Sequence, residues 1–291
     1  MSASTALSFG LAAASALALN WAYFAQHRQA SRLPPLSVRR PLRSLALLFS
    51  NRRWVAGFTI GIGGWALYVA ALAFGTLSLV QAASAGGIGV LALLVWRLGD
   101  VRLSRREWAG VGLAIAGLVL LAVSLTGSGT THPFAAHASW VAVAAWMAAS
   151  GAVAAAFAGP LSRLLTGGAG LGIAAGLSYA SGDVGTKAVV GGGARLLFGA
   201  PVLSAHGLDF VFLQLGFQRG GALATAGVAT LFTNAVPIAA GMVLYGDGLP
   251  AGALGVARLL SFAAVVSGAV LLTRGPGLGV GSVRAAPASV R

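Results

Sequence analysis

Nine apolar runs follow one another along the chain, near residues 4–24, 54–75, 78–96, 108–126, 139–158, 170–190, 196–217, 221–245 and 251–273. Each has about the twenty-residue length that a helix needs to cross a bilayer. Lipid satisfies no exposed backbone group, so such a segment must close its hydrogen bonds within itself, which only a helix does one segment at a time. The expected fold is therefore an all-α polytopic membrane protein with about nine transmembrane helices. Composition agrees: 57% of the residues are hydrophobic and 8% charged, with a mean hydropathy of +0.87. A soluble domain gives roughly a quarter of its residues to charge.

Charge then sets the expected orientation. No Lys or Arg precedes the first run, and its first cation, Arg28, follows it. A secretory signal has the reverse order, so the first helix is expected to stay, with its N-terminus outside. The next connection holds Arg28, Arg32, Arg39, Arg40, Arg43, Arg52 and Arg53, which reads as a basic cytoplasmic loop. Alternation from there puts Arg97, Arg102, Arg105 and Arg106 inside, then Arg163, Arg219 and the tail arginines Arg274, Arg284 and Arg291. The outer connections hold only Arg195, while Arg258 lies near an outer helix end and is expected to snorkel. The net charge of +14 is thus accounted for by topology, and no nucleic-acid partner is expected.

The resulting organisation is a first transmembrane helix (1–25), the basic loop (26–53), spans two to five (54–158), spans six to nine (159–274) and a basic disordered tail (275–291), in the cytoplasmic, or inner, membrane of a bacterial-type cell. Within the loop, PLRSLALLFSNRRW (41–54) sets apolar residues between arginines. Two readings stand: an amphipathic helix on anionic lipid, or a short connecting helix packed under the bundle.

Several chemistries are disfavoured. The chain has no cysteine, and its four histidines and five carboxylates show no metal-ligand spacing, so thiolate chemistry is excluded and no metal is expected. The glycine clusters GIGG (61–64) and GGG (191–193) follow no strand and read as close-packing positions, not nucleotide loops. No catalysis and no cofactor are expected.

Two segments resemble each other. LALLVWRLGDVRLSRREWAGVGLAIAGLVLLAVSL (91–125) and AAGMVLYGDGLPAGALGVARLLSFAAVVSGAVLLTR (239–274) each run an apolar helix into Gly-Asp, a polar turn, and a second helix with a small-Gly pair. Asp100 matches Asp247, and Ala116-Gly117 matches Ser267-Gly268. The host helices are five spans apart, an odd number, so the copies are expected in opposite orientations. Inverted repeats are the usual build of secondary transporters, with solute bound near the midplane.

The stretches LSLVQAASAGGIGVLALLVWRLGDVRLSRREWAGVGLAIAGLVLL (77–121), GLGIAAGLSYASGDVGTKAV (170–189) and LQLGFQRGGALATAGVATLFTNAVPIAAGMVLYGDGLP (213–250) resemble the drug/metabolite transporter (DMT) superfamily, in particular its EamA-like proteins. The resemblance implies inverted-topology repeats and alternating-access transport of a small metabolite, drug or cation. The nine spans and basic first loop are also similar to the NIPA-type magnesium transporters. Where those carry Gly-Glu this chain has Gly64-Trp65, and where they carry a Pro-containing opening to the third span it has Leu79-Val80-Gln81.

Candidate site residues follow from the cost of polarity in lipid. Asp183 and Lys187, in SYASGDVGTK (178–187), share one helix face at i, i+4. They read either as an ion pair whose lysine snorkels outward, or as a substrate or proton site that switches when Asp183 takes a proton. His206 and Asp209, in SAHGLDF, belong to a run that also contains Gly199, Pro201 and Gly207. That run reads either as a broken helix that exposes binding groups or as an outer loop in water. The uncharged polar residues Gln81, Ser84, Tyr68, Tyr179, Gln214, Thr233 and Asn234 either line a cavity between spans 2, 3, 6, 7 and 8 or hydrogen-bond between helices. Pro237 is expected to kink the eighth span.

The expected function is secondary transport of a small solute, with protons the coupling ion if one is coupled. Magnesium permeation and a non-transporting membrane assembly role are the alternatives. The expected partners are the solute or cation and membrane lipid, with a homodimer left open.

Overall fold

A computed structural model of the chain describes residues 3–37, 40–74, 84, 87–99, 103–125, 138–165, 168–190, 193–244 and 251–273. Regular structure among them is helical throughout. The helices are α1 (Ala3–Ala30), α2 (Pro41–Ser50), α3 (Arg52–Phe74), α4 (Gly87–Leu98), α5 (Arg105–Leu125), α6 (Trp140–Ala158), α7 (Ala169–Val190), α8 (Gly199–Arg219), α9 (Val228–Leu244) and α10 (Ala253–Thr273). Each apolar run of the sequence carries one of them, and α2 is the addition between the first two runs. The segments Ala6–Ala30, Trp140–Ala158, Gly193–Arg219, Leu223–Gly241 and Ala253–Leu272 are long and apolar enough to cross a membrane.

Local chemistry sets several helix starts. Ser104 and Glu107 form a reciprocal cap on α5: the Ser104 backbone N–H donates to Glu107 Oε2 at 2.8 Å, and the Glu107 N–H donates to Ser104 Oγ at 3.2 Å. Two of the orphan donors of the first turn are thereby satisfied. Ser139 Oγ accepts from Ala142 N–H at the start of α6, and Asn51 Oδ1 accepts from Trp54 N–H at the start of α3. A 3₁₀ turn over Gly193–Phe198 precedes α8, and a π-helical turn over Leu223–Gly227 precedes α9. Pro237 sits inside α9.

The helices pack in pairs through small residues. α1 lies along α3, α7 along α8, and α5 along α10, while α6 and α9 flank α7. On the first pair, Ser15 Oγ donates to Gly64 O at 2.7 Å and Ser8 Oγ to Ala71 O at 2.8 Å, both buried. Glycine is what lets these backbones approach. A Cβ at Gly64 would stand 3.0 Å from Leu19.

On the α5–α10 pair, a Cβ at Gly117 would stand 3.0 Å from Val265 N, and one at Gly268 would stand 3.0 Å from Ala114 N. These contacts are reciprocal: the sequence separation between the two glycines equals that between their two partners.

Arg258 does not snorkel. It is fully buried, with 0% of its surface exposed, and reaches back from α10 to the end of α5. Its Nε donates to Ser124 Oγ at 3.3 Å and its Nη2 to Ser124 O at 3.0 Å. The last carbonyls of a helix lack partners and carry the negative end of its dipole, so a guanidinium is well suited to that position.

The short helix α2 combines the two readings of its sequence. Leu48 is buried, and the Phe49 ring meets Trp54 and Phe58 of α3 edge-on. Leu42 and Leu45 remain exposed on its outer side.

Candidate functional site

Four helices bring the polar side chains of the interior together. On α7, Tyr179 and Asp183 are one turn apart; on α8, His206 and Asp209 are three residues apart; α1 contributes Tyr23 and α3 contributes Tyr68. The α7–α8 approach is close because α7 has glycine where α8 presents bulk. A Cβ at Gly182 would stand 2.7 Å from the His206 ring, and one at Gly185 would stand 2.7 Å from Val202. This allows the His206 ring to meet Tyr179 edge-on, with centroids 5.1 Å apart.

Electrostatics connects the remaining members. The Tyr179 hydroxyl lies in the field of Asp183, Asp209, Tyr23 and Tyr68. Tyr23 lies in the field of Asp209, Tyr68 in that of Asp183, and Asp209 in that of Asp183. Two acids and three phenols from α1, α3, α7 and α8 thus stand within electrostatic reach of one another, with His206 against Tyr179.

Toward the Arg28 end of α1 a buried amide layer follows. Gln214 Nε2 donates to Gln26 Oε1 at 2.8 Å, and Trp54 Nε1 donates to Gln214 Oε1 at 3.0 Å. Trp54 also stacks on Phe58, with centroids 5.2 Å apart, and both rings meet Phe210 edge-on. Beyond this layer, His27 Nε2 lies 2.9 Å from Gly220 O. Gln218 Nε2 donates to the carbonyls of Ala30 and Pro34, and its Oε1 accepts from Leu36 N–H at 2.8 Å. The connection after α1 is thereby tied to the end of α8.

Of the residues singled out in the sequence, Asp183, Asp209, His206, Tyr68 and Tyr179 are brought together. His206 and Asp209 stand on a continuous helix, neither a loop nor a break, because Pro201 falls in the first turn of α8, where a proline costs no hydrogen bond. Gln214 belongs to the adjoining amide layer. Thr233 Oγ1 and Asn234 Nδ2 both donate to Thr230 O on their own helix, at 3.0 and 2.7 Å. Ser84 is half-buried and outside the cluster. Gln81, Asp100 and Asp247 lie outside the described residues; Lys187 is on α7, its side chain outside them. Among the described residues no three His, Asp or Glu side chains converge as a metal site.

Sequence reasoning missed Tyr23. The signal was present: all four of the chain's tyrosines fall within apolar runs, and the first of them sits between Asn20 and Gln26 on an otherwise apolar helix.

A cavity of about 330 Å³ lies between α6, α7 and α8. Met147, Phe198 and Leu208 give it an apolar wall, and Ser178, Ser181 and Ser204 are its polar members. Neither a family model, nor a curated protein, nor a solved structure matches the chain.

Proposed function

We propose that the chain is a secondary transporter of the drug/metabolite class, moving a small solute across the cytoplasmic membrane by alternating access. The observation that carries this reading is the collection of Asp183, Asp209, Tyr23, Tyr68 and Tyr179 in the interior of a helical bundle whose helices include several of membrane length. Acidic side chains turned into a bundle of apolar helices are expensive in lipid and are retained where a pathway uses them.

The packing pattern supports inverted repeats. The α1–α3 pair has its counterpart five spans later in α7–α8, α1–α4 in α7–α9, and α4–α5 in α9–α10, while α5–α10 maps onto itself. The reciprocal glycine contacts are what a pseudo-twofold axis through that last pair would produce. In this arrangement the solute site lies between the two repeats, and the amide layer of Gln26, Gln214 and Trp54 closes it on the cytoplasmic side.

Reconstitution in liposomes tests the proposal, with a panel of amines, amino acids, sugars and divalent cations as solutes. Flux of at least one solute, lost in Asp183→Asn and Asp209→Asn, is the expected result. No flux of any panel member, together with co-purification of a stoichiometric partner, would replace transport with an assembly role.

A further inference from the structure

The short helix α2 presents different chemistry on its two sides. Toward the protein, Leu48 is buried, and Ser44 Oγ accepts from Ser37 N–H at 2.9 Å and donates to Ser37 O at 3.1 Å. Leu42, Leu45 and Phe49 form a separate stripe, with 80%, 38% and 50% of their surfaces exposed. Their spacing of i, i+3 and i+7 places them on one helical face.

The junction with α3 sets the level of that stripe. Only Asn51 separates the two helices, and its extended backbone ends α2. Phe49 then packs back onto α3, its ring centroid 5.2 Å from that of Trp54 and 5.7 Å from that of Phe58. Phe58 lies about 9 Å along α3 from Arg52, at roughly 1.5 Å per residue. The stripe therefore stands where the apolar run of α3 begins, the level that headgroups border in a bilayer.

Charge selects what covers it. Arg40 precedes α2, Arg43 flanks the stripe, and Arg52 and Arg53 follow it, all four exposed. The chain has no carboxylate before Asp100, so this segment supplies no acid of its own to neutralise them. An apolar stripe bordered by arginines is complementary to a surface that sets phosphate over acyl chains. An acidic protein surface would match the arginines too, but the position of the stripe at the foot of α3 favours lipid.

We infer that α2 is a docking surface for anionic phospholipid, in which Leu42, Leu45 and Phe49 enter the acyl boundary while Arg40, Arg43 and Arg52 hold the phosphates. This needs the bundle to sit in a bilayer and is independent of whether it moves a solute.

The chain has no cysteine, so Ala46→Cys, on the exposed side of α2, can carry a single nitrobenzoxadiazole label. The labelled full chain is placed in phosphatidylcholine nanodiscs in which about a third of the lipid is acyl-brominated phosphatidylglycerol or, in parallel, acyl-brominated phosphatidylcholine. Bromine quenches at contact, so the label reports which lipid lies against α2. Phosphatidylglycerol is expected to quench at least about twofold more strongly, and about 1 M salt should remove half or more of that difference. Arg40→Gln combined with Arg43→Gln should bring the two lipids close to equality. Leu42→Ser combined with Leu45→Ser should lower quenching by both lipids about twofold or more.

Equal quenching by the two lipids on the chain with its native arginines would overturn the inference. So would a label that neither lipid quenches, the result expected if a protein partner covers the stripe, or a selectivity that survives the double arginine substitution. The two lipids are compared on one labelled chain, so this arm decides the matter even if a variant fails to fold. Lipid selectivity at α2 without flux in liposomes would sink the transport proposal alone. Flux with α2 in water would sink the inference alone.

Discussion

Gln214 gives its side-chain amide to Gln26 across 2.8 Å and receives Trp54 Nε1–H at its own oxygen, so one side chain satisfies groups on both α1 and α3. Replacing it with leucine leaves the Trp54 N–H and the Gln26 carbonyl buried and unpaired. A loss of about 1–3 kcal/mol for each orphaned group is expected, seen as a lower unfolding midpoint in mixed micelles. The combined change Gln26→Leu, Gln214→Leu and Trp54→Phe removes all the polar groups together and should recover much of that loss. An unchanged midpoint in Gln214→Leu would show that the layer is not a structural tie.

Gln218 holds the chain that follows α1 through Ala30, Pro34 and Leu36. Gln218→Ala should leave the bundle's unfolding midpoint nearly unchanged, because these groups are near the surface and water replaces the amide. It should raise amide exchange across residues 31–37 by about tenfold or more, since local opening no longer has to break several bonds at once. Exchange mass spectrometry on the purified protein reads both outcomes.

The α5–α10 contact predicts a matched pair of effects. Gly117→Ala and Gly268→Ala each place a methyl 3.0 Å from backbone nitrogen of the other helix, which cannot give way as a flexible side chain does. Each should destabilise by about 1–3 kcal/mol, and the two values should agree closely. Gly112, on the same α5, has nothing within 4 Å of its Cβ position, and Gly112→Ala should instead stabilise by about 0.5–1 kcal/mol through the lost backbone freedom of glycine. Destabilisation at Gly112 equal to that at Gly117 would argue against the packing described.

Arg258 makes separate bonds to Ser124 from Nε and Nη2. Arg258→Lys keeps the charge but offers a single ammonium in place of the planar fork, so it should recover only part of what Arg258→Ala loses. The alanine variant should lose about 3–5 kcal/mol, the range for breaking a buried charged contact. Equal stability of arginine, lysine and alanine at this position would show that the cap contributes nothing.

The helices were legible in the sequence because apolar length in lipid admits few other structures, and every run carries a helix. Boundaries were less legible. The first run was read as 4–24, yet α1 extends to Ala30, since Gln26, His27 and Arg28 look like loop residues until Gln214 and Gly220 are seen to receive the first two. His206 and Asp209 stood evenly between loop and span for a similar reason: the helix that carries them is polar on the face it turns inward. Tyr23 and Asp209 are far apart in the chain, and no local pattern connects them. Arg258 shows the opposite failure. Its closeness along the chain to the outer end of its own helix suggested snorkelling to water, but its partner is the end of a different helix.

That partner has a consequence for how the protein is made. Ser124 and Arg258 are 134 residues apart, so α5 leaves the ribosome well before α10 does. A lone arginine within an apolar helix resists insertion into a bilayer, by up to about 2.5–3.5 kcal/mol at the centre and by less toward an end such as that of Arg258, and the carbonyl end of α5 offers it a seat. α10 would therefore enter the membrane most readily where α5 is already waiting beside the translocation channel, and a chain with α5 deleted should accumulate with α10 outside the lipid.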